Sequence, residues 1–363
     1  MMNKIKRTFL WNILRKAVMC IRRRKYKKYN GKPLTQAIQT EIQNIIRQDR
    51  AIYFHSEETA KRLADNWQGT VNKPDNLRFI ENAIPVVFCA NDSFAPYAAV
   101  MLQSILYNSN PQRIYHFIFF EQNFSDITKD YLVKQVSHYS YCLIDFVNTK
   151  DAFMDIPISP TRGSHINIDA FSRLFIPYWL NRYSKVIYCD CDMMANSDIA
   201  EMFDLDIHDY CMGAAVNDVI EAALHRQNYS SFFSPAAFML LENWSRYINS
   251  GLLIFNTRKF SEMFSYQNLF KFAIYYTNRY KKRKNDQDVL SLIVKDNYYV
   301  LPPEWNHCWE TMKTAGPNIK IIHYTSNVKP WKDFREISDN PDVLAYRNFA
   351  KNVPLYQITH PNH

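Results

Sequence analysis

Apolar and polar positions divide the chain into stretches of different rhythm. Over residues 3–28, Ile5, Phe9, Leu10, Ile13, Leu14, Val18 and Ile21 fall close to helical spacing. Arg15 and Lys16 interrupt them, and Arg22-Arg23-Arg24-Lys25 and Lys27-Lys28 follow. This run is too short and too charged to span a bilayer, and it lacks the small-residue cleavage site of a removable signal peptide. A basic amphipathic helix lying on an anionic membrane fits it better, with Phe9 and Trp11 in the headgroup zone. From Leu34 to Asn66 a more polar helical pattern (Ile38, Ile42, Ile45, Ile46) reads either as a spacer or as a packed helical hairpin.

The rhythm changes at Ile84. Ile84 to Ala90 is an unbroken apolar run that predicts a buried strand, closed by Asn91-Asp92-Ser93. A helical pattern runs from Tyr97 to Asn108, and a second strand covers Ile114 to Phe120. Ser125 or Asp126 can cap a helix reaching about His138, and Cys142 to Val147 is a third strand. Strands alternating with helices at this spacing predict βαβ units and an α/β fold with a mostly parallel central sheet. Another helical stretch spans Ile168 to Leu180, and a short apolar run ends at Cys189. Residues 204–248 look irregular and polar. Asn249-Ser250-Gly251 reads as a turn leading into a strand at Leu252–Phe255, and Asp286-Gln287-Asp288 as the acidic start of a helix. Ile319 to Tyr324 is a last strand, ending on His323.

Charge alters this picture at one end only. Residues 1–32 hold twelve of the 44 Lys and Arg and no acid, leaving 32 bases against 35 acids in the remainder. A nucleic-acid-binding fold spreads its positive charge over a folded face, so nucleic acid is not an expected partner. The seven cysteines are scattered, with no Cys-x-x-Cys pair and no zinc spacing. That pattern suits a reducing compartment and no disulfide framework. Only six glycines occur in 363 residues, which gives weight to Gly251.

The chemistry gathers at strand ends. In Tyr188-Cys189-Asp190-Cys191-Asp192, alternation along an extended backbone sends both acids to one side. Two carboxylates that close require a positive partner, and oxygen donors suit a hard cation, Mg²⁺ or Mn²⁺. Ligands of open α/β sheets bind at the carboxyl ends of strands, where Asn91–Phe94 and the Asp190/Asp192 pair both lie.

Taken in order, Phe88-Cys89-Ala90-Asn91-Asp92-Ser93-Phe94, Ser172-Arg173-Leu174, Asp190-Cys191-Asp192, Asn249-Ser250-Gly251, Asp286-Gln287-Asp288 and His323-Tyr324 with Lys329-Pro330-Trp331 resemble glycosyltransferase family 8. The resemblance spans about Ile84 to Trp331. It implies a GT-A fold, the Rossmann-like architecture of nucleotide-diphospho-sugar transferases, here with an added N-terminal basic helical segment. It divides the chain into a basic segment with possible membrane contact (1–33), a helical spacer or hairpin (34–80), a catalytic domain (81–336) and a C-terminal tail (337–363). It implies a retaining hexosyltransferase that moves glucose or galactose from a UDP-sugar to a saccharide acceptor, a lipopolysaccharide core or another surface glycan. A catalytically silent sugar- or nucleotide-binding protein on the same fold is the alternative.

By the same resemblance Asp190, Asp192 and His323 bind the metal, Mn²⁺ or Mg²⁺. Ala90, Asn91 and Phe94 hold the nucleobase and ribose, and Ser326 lies by the phosphates, where a Gly is usual. Asp190, Asn249, Gly251 and Arg173 belong to the donor site. Asp286 accepts from sugar hydroxyls, Gln287 lies beneath the anomeric carbon, and Lys329 contacts phosphate. His165, Asn217 and Asp218 are candidates for acceptor contacts. The expected location is cytoplasmic, peripheral on the inner membrane face, where lipid-linked saccharides are presented.

Overall fold

The computed structural model describes residues 77–150, 171–217, 246–280, 285–295, 297–308, 318–325, 328–332 and 339–360, with isolated positions at 62, 64–66, 73 and 152. The basic segment, nearly all of the 34–80 segment and the candidates His165, Asp218 and Ser326 lie outside the described residues.

The first half follows the alternation expected of it. Strand β1 (Ala83–Asn91) leads to helix α1 (Ala95–Asn108), β2 (Ile114–Gln122), helix α2 (Asp126–Ser137) and β3 (Cys142–Asn148). The Ser125 hydroxyl caps α2 by accepting from the Thr128 amide. β1 runs parallel to β2, and β2 to β3. β4 (Lys185–Cys189) joins the other edge of β1, also parallel.

The second half departs from a simple parallel pattern. β7 (Ile248–Asn256) pairs antiparallel with β4 and with β6 (Met212–Val216), and β8 (Tyr299–Val300) closes the edge parallel to β6. The seven-stranded order is β3-β2-β1-β4-β7-β6-β8, parallel at four of its six pairings. A second sheet, β5-β10-β9, sets β10 (Ile321–His323) between β5 (Met193–Ala195) and β9 (His307–Cys308).

Both faces of the large sheet are covered, because neighbouring strand residues send their side chains to opposite sides. Val87, Ile118, Phe120, Val186 and Tyr188 enter one hydrophobic cluster with residues 171–183 and helices α5 (Thr257–Met263), α6 (Tyr266–Tyr280) and α7 (Asn285–Val294); α3 (Ile176–Trp179) and α4 (Ala200–Phe203) are shorter. Val86, Phe88, Phe117, Phe119 and Ile187 enter the other, with α1, the small sheet and helices α8 (Pro341–Ala350) and α9 (Pro354–Thr359).

Three expectations change. Residues 204–248 contain β6, whose Met-Gly-Ala-Ala-Val run is too short and too small to stand out in the sequence. The helical stretch at Ile168–Leu180 is, where described, a 3₁₀ turn at Ser172–Leu174 followed by the single turn of α3 with Pro177 near its start. Asn249-Ser250-Gly251 is no turn before a strand: β7 begins at Ile248, and its register with β6 slips from Ala214↔Leu253 to Ala215↔Asn249. Ser250, Gly251 and Leu252 therefore bulge out of that pairing, which is how a strand re-aims side chains.

Candidate active site

Four strand ends converge. Asp190 and Asp192 lie between β4 and β5, and the Asp190 amide donates to the Gly251 carbonyl at 2.7 Å. The small sheet brings His323 opposite Met193, one residue beyond Asp192, and beside Cys308. His323 Nε2 lies 3.1 Å from Asp192 Oδ1 and 3.8 Å from Asp190 Oδ2. One donor atom from each of Asp190, Asp192 and His323 falls within 4.8 Å of the others. Two carboxylates and an imidazole at that spacing fit a divalent first-row cation. Gly251 completes the cradle, since a Cβ there would fall among the same ring and carboxylate atoms.

Cations already balance the acids. Lys329 Nζ lies 2.6 Å from Asp192 Oδ2 and donates also to the Tyr324 carbonyl. Burial favours the neutral form of Asp192, but the Lys329 ammonium beside it holds the carboxyl well below the usual range. Arg173 Nη2 donates to Asp190 Oδ1 at 3.1 Å, and its Nε lies 3.1 Å from Asp286 Oδ2. Arg173 Nη1 reaches the Ser250 carbonyl at 2.6 Å and its hydroxyl at 2.9 Å, and the guanidinium covers the Tyr188 ring. Burial alone would depress Arg173, yet Asp190 and Asp286 raise its pKa, so it stays charged. The Tyr188 hydroxyl donates to Asp190 as well.

Beside this lies the start of α7. Asp286 Oδ2 accepts from the Ser250 hydroxyl at 3.3 Å. Gln287 is buried, its Oε1 accepting from the Ser250 amide at 3.3 Å and its Nε2 donating to the Tyr247 hydroxyl at 2.9 Å. Tyr247 in turn donates to Asp288 Oδ1 at 2.6 Å, and Tyr276 to Asp288 Oδ2 at 2.9 Å. Burial and Asp288 push the Tyr247 phenol far above its ordinary value, so it remains a donor. The Asp288 carboxylate thus fixes the hydroxyl that fixes the Gln287 amide.

The predicted residues group unevenly. Arg173, Asp190, Asp192, Gly251, Asp286, Gln287, His323 and Lys329 meet around the bulge of β7. Ala90 is buried at the end of β1, and Asn91 Oδ1 accepts from the Ser93 amide and hydroxyl in a tight turn. Phe94 is 44% exposed and meets Tyr97 edge-on, so its ring is available for stacking. Asn249 faces inward: its Oδ1 accepts from Gly251 and Asn306, and its Nδ2 donates to Cys308 Sγ. Asn217 is buried at the end of β6, its amide donating to the Tyr247 carbonyl. Tyr247 and Asn306 escaped the sequence reading. The Trp305-Asn306 pair after Pro302-Pro303 marks only a break there, and folding alone reveals its neighbours.

Residues 85–335 match the sequence profile of the family described as Glycosyl transferase family 8. Among similar proteins, General stress protein A of Bacillus subtilis is 25% identical over 287 residues, 73% of this chain and 93% of its own length. Lipopolysaccharide 1,2-glucosyltransferase of Escherichia coli is 23% identical over 295 residues, 73% of this chain and 78% of its own. Among solved structures, galactosyltransferase LgtC in complex with donor and acceptor sugar analogs aligns with a TM-score of 0.59 and 20% identity, over 75% of this chain and 96% of that one. The apo bifunctional WbbM gives 0.62 and 20%, over 82% of this chain, which spans about half (54%) of WbbM. The likeness shows the fold, the GT-A architecture expected from the sequence.

Proposed function

This chain belongs to glycosyl transferase family 8, and we propose that it moves glucose or galactose from a UDP-sugar to a saccharide acceptor with retention at the anomeric carbon. The acceptor is a lipopolysaccharide core or another bacterial surface glycan. One observation carries this reading: three side chains spaced to hold a metal ion and the Arg173–Asp286–Gln287 group meet around a single bulge in β7.

Asp190, Asp192 and His323 would hold the cation, and an imidazole in the set favours Mn²⁺ over Mg²⁺. Bound there, it neutralises the charge that develops on the departing nucleoside diphosphate. The remaining work belongs to the chain's own side chains. Lys329 adds a point charge on the phosphate side of Asp192. Ala90, Asn91 and Phe94 line the end of β1 for the uridine, with the Phe94 ring stacking on the base. Arg173 ties Asp190 to Asp286 and so keeps the phosphate and sugar subsites in register. Asp286 accepts from sugar hydroxyls.

Gln287 lies beneath the anomeric carbon, its amide held by Tyr247 and Ser250. An amide steadies positive charge with its carbonyl oxygen but is a poor nucleophile. Attack by the acceptor hydroxyl from the leaving-group face follows, with the departing phosphate taking its proton. Asp288 is no alternative nucleophile, since both its oxygens accept from buried tyrosines. With ligands, Lys329 and Gln287 all in place, the silent binding protein is the weaker reading. We place the enzyme peripherally on the inner membrane face, through its basic end.

The test is release of UDP from UDP-glucose and UDP-galactose, with and without Mn²⁺ and a saccharide acceptor. Metal-dependent release that Asp192→Ala abolishes supports the reading. No turnover of any UDP-sugar in a panel would overturn it.

A further inference from the structure

Behind the cation cradle, a chain of buried amides ends on the ring of His323. Its directions follow from one fixed donor. The Gly251 backbone N–H donates to a side-chain atom of Asn249 at 2.9 Å, so that atom is the carbonyl Oδ1. Asn306 approaches the same oxygen at 3.2 Å and must therefore present its Nδ2. This turns Asn306 Oδ1 to His323 Nδ1, 3.0 Å away. An oxygen there accepts, so Nδ1 carries the proton. Asn249, Asn306 and His323 are all buried, 2–4% exposed, which leaves little water to offer a substitute partner.

We infer that Asn306, oriented by Asn249, is a positioning residue that fixes His323 as the Nδ1–H tautomer and keeps the Nε2 lone pair turned to Asp190 and Asp192. The inference rests on the metal-dependent reading of the site and assigns Asn249 to the metal centre's support. Without Asn306 the proton is free to settle on Nε2 and donate to Asp192 Oδ1, 3.1 Å away. A protonated Nε2 cannot ligate a metal. The protein would keep its shape and lose one ligand of three.

The experiment uses the full chain and two variants. Asn306→Leu keeps the side-chain size and removes the acceptor; Asn306→Asp keeps the acceptor at Nδ1. Mn²⁺ affinity is measured by electron paramagnetic resonance in the presence of UDP. The proton is located on His323 by ¹⁵N NMR of the metal-free protein, assigned against His323→Gln. In the wild type, Nδ1 is expected to be protonated. Asn306→Leu should weaken Mn²⁺ by about 10–100-fold, with the proton found on Nε2, and Asn306→Asp should hold Mn²⁺ within about threefold of wild type. A role in packing alone would lower the melting temperature of Asn306→Leu without moving the proton. An unprotonated Nδ1 in the wild type, or a proton that leaves Nδ1 in Asn306→Asp, where the acceptor is kept and only the bond to Asn249 is given up, overturns the inference. Should Asn306→Leu fail to fold, the wild-type spectrum and Asn306→Asp still decide it. A wild type that binds Mn²⁺ and shows this pattern but turns over no UDP-sugar would sink the proposed reaction and leave this inference standing.

Discussion

An ideal Cβ on Gly251 would lie 2.2 Å from His323 Cε1 and 2.8 Å from Asp190 Oδ2, inside any normal van der Waals contact. Neither neighbour can retreat freely. His323 is held on β10 between two strands, and Asp190 is fixed by Arg173 and Tyr188. The β7 backbone is equally constrained, because its pairing with β4 runs through Leu252. Gly251→Ala is therefore expected to fold but to weaken Mn²⁺ binding and to lower UDP-sugar turnover by at least about 100-fold, as misplaced groups do. Mn²⁺ titration and initial rates check it, and near-wild-type values in both would show that His323 need not approach so closely. The scarcity of glycine marked this residue in the sequence, though not its reason. The acids, His323 and Lys329 were legible for a different cause: each sits in a short motif whose residue types the chemistry requires. Asn306 and Tyr247 were not. Each meets the candidate site through a side chain that another element of the fold supplies, His323 for Asn306 and Gln287 for Tyr247.

At the scale of elements, long apolar runs were legible and short pieces were not. β1, β2 and β3 stand within two residues of their predicted bounds, since β1 and β2 are buried on both faces, β3 at the sheet edge is half-buried, and each is an apolar run bounded by turn residues. β5, β8 and β9 are two or three residues long, and their pairing, not their composition, makes them strands. α8 and α9 occupy the C-terminal stretch, where the Asn340 side chain caps α8 by accepting from the Asp342 amide. Arg347 of α8 donates to the carbonyls of Pro330 at 2.7 Å and Lys332 at 2.8 Å, on either side of Trp331. Trp331 stacks on Tyr97 of α1 with ring centres 4.0 Å apart. These contacts hold the loop that carries Lys329, so Arg347→Ala should lower kcat/KM for the UDP-sugar by roughly tenfold. Steady-state kinetics checks this, and an unchanged kcat/KM would show that the loop holds itself. Across the sheet, Asp145 of β3 accepts from Arg78 and lies 2.8 Å from buried His116. Burial favours its neutral form, but His116 and Arg78 prevail and lower its pKa below the ordinary carboxylate value. The cluster's stabilisation is therefore complete above about pH 4 and is lost as pH falls through the lower folded-state value. Asp145→Asn should cost about 2–4 °C of melting temperature at pH 7 and flatten the decline below pH 4. A variant with the wild-type acid slope would assign that decline to other groups.

At the scale of the molecule, the basic excess and the candidate site occupy different parts of the chain. Residues 1–32 carry twelve bases and no acid, while the rest, with 32 bases against 35 acids, sums to a slight negative charge. Among the described residues, no helix is long and apolar enough to cross a membrane. All the site residues brought together by the fold lie between Arg173 and Lys329, far along the chain from the basic end. If that end is only an electrostatic and amphipathic contact for anionic lipid, removing it should separate two properties. Deletion of residues 1–32 is expected to leave Mn²⁺-dependent release of UDP within about twofold of the full chain, because the contacts described around the bulge of β7 are all made by residues 173–329. Co-sedimentation with vesicles containing anionic phospholipid should fall to the level seen with neutral vesicles. In the full chain that binding should weaken steeply as salt shortens the Debye length from roughly 10 Å at 0.1 M to 3 Å at 1 M. Retained vesicle binding after deletion would move the contact surface onto the folded domain. Lost turnover would make the basic end part of the catalytic unit, and the division between anchor and enzyme would have to be withdrawn.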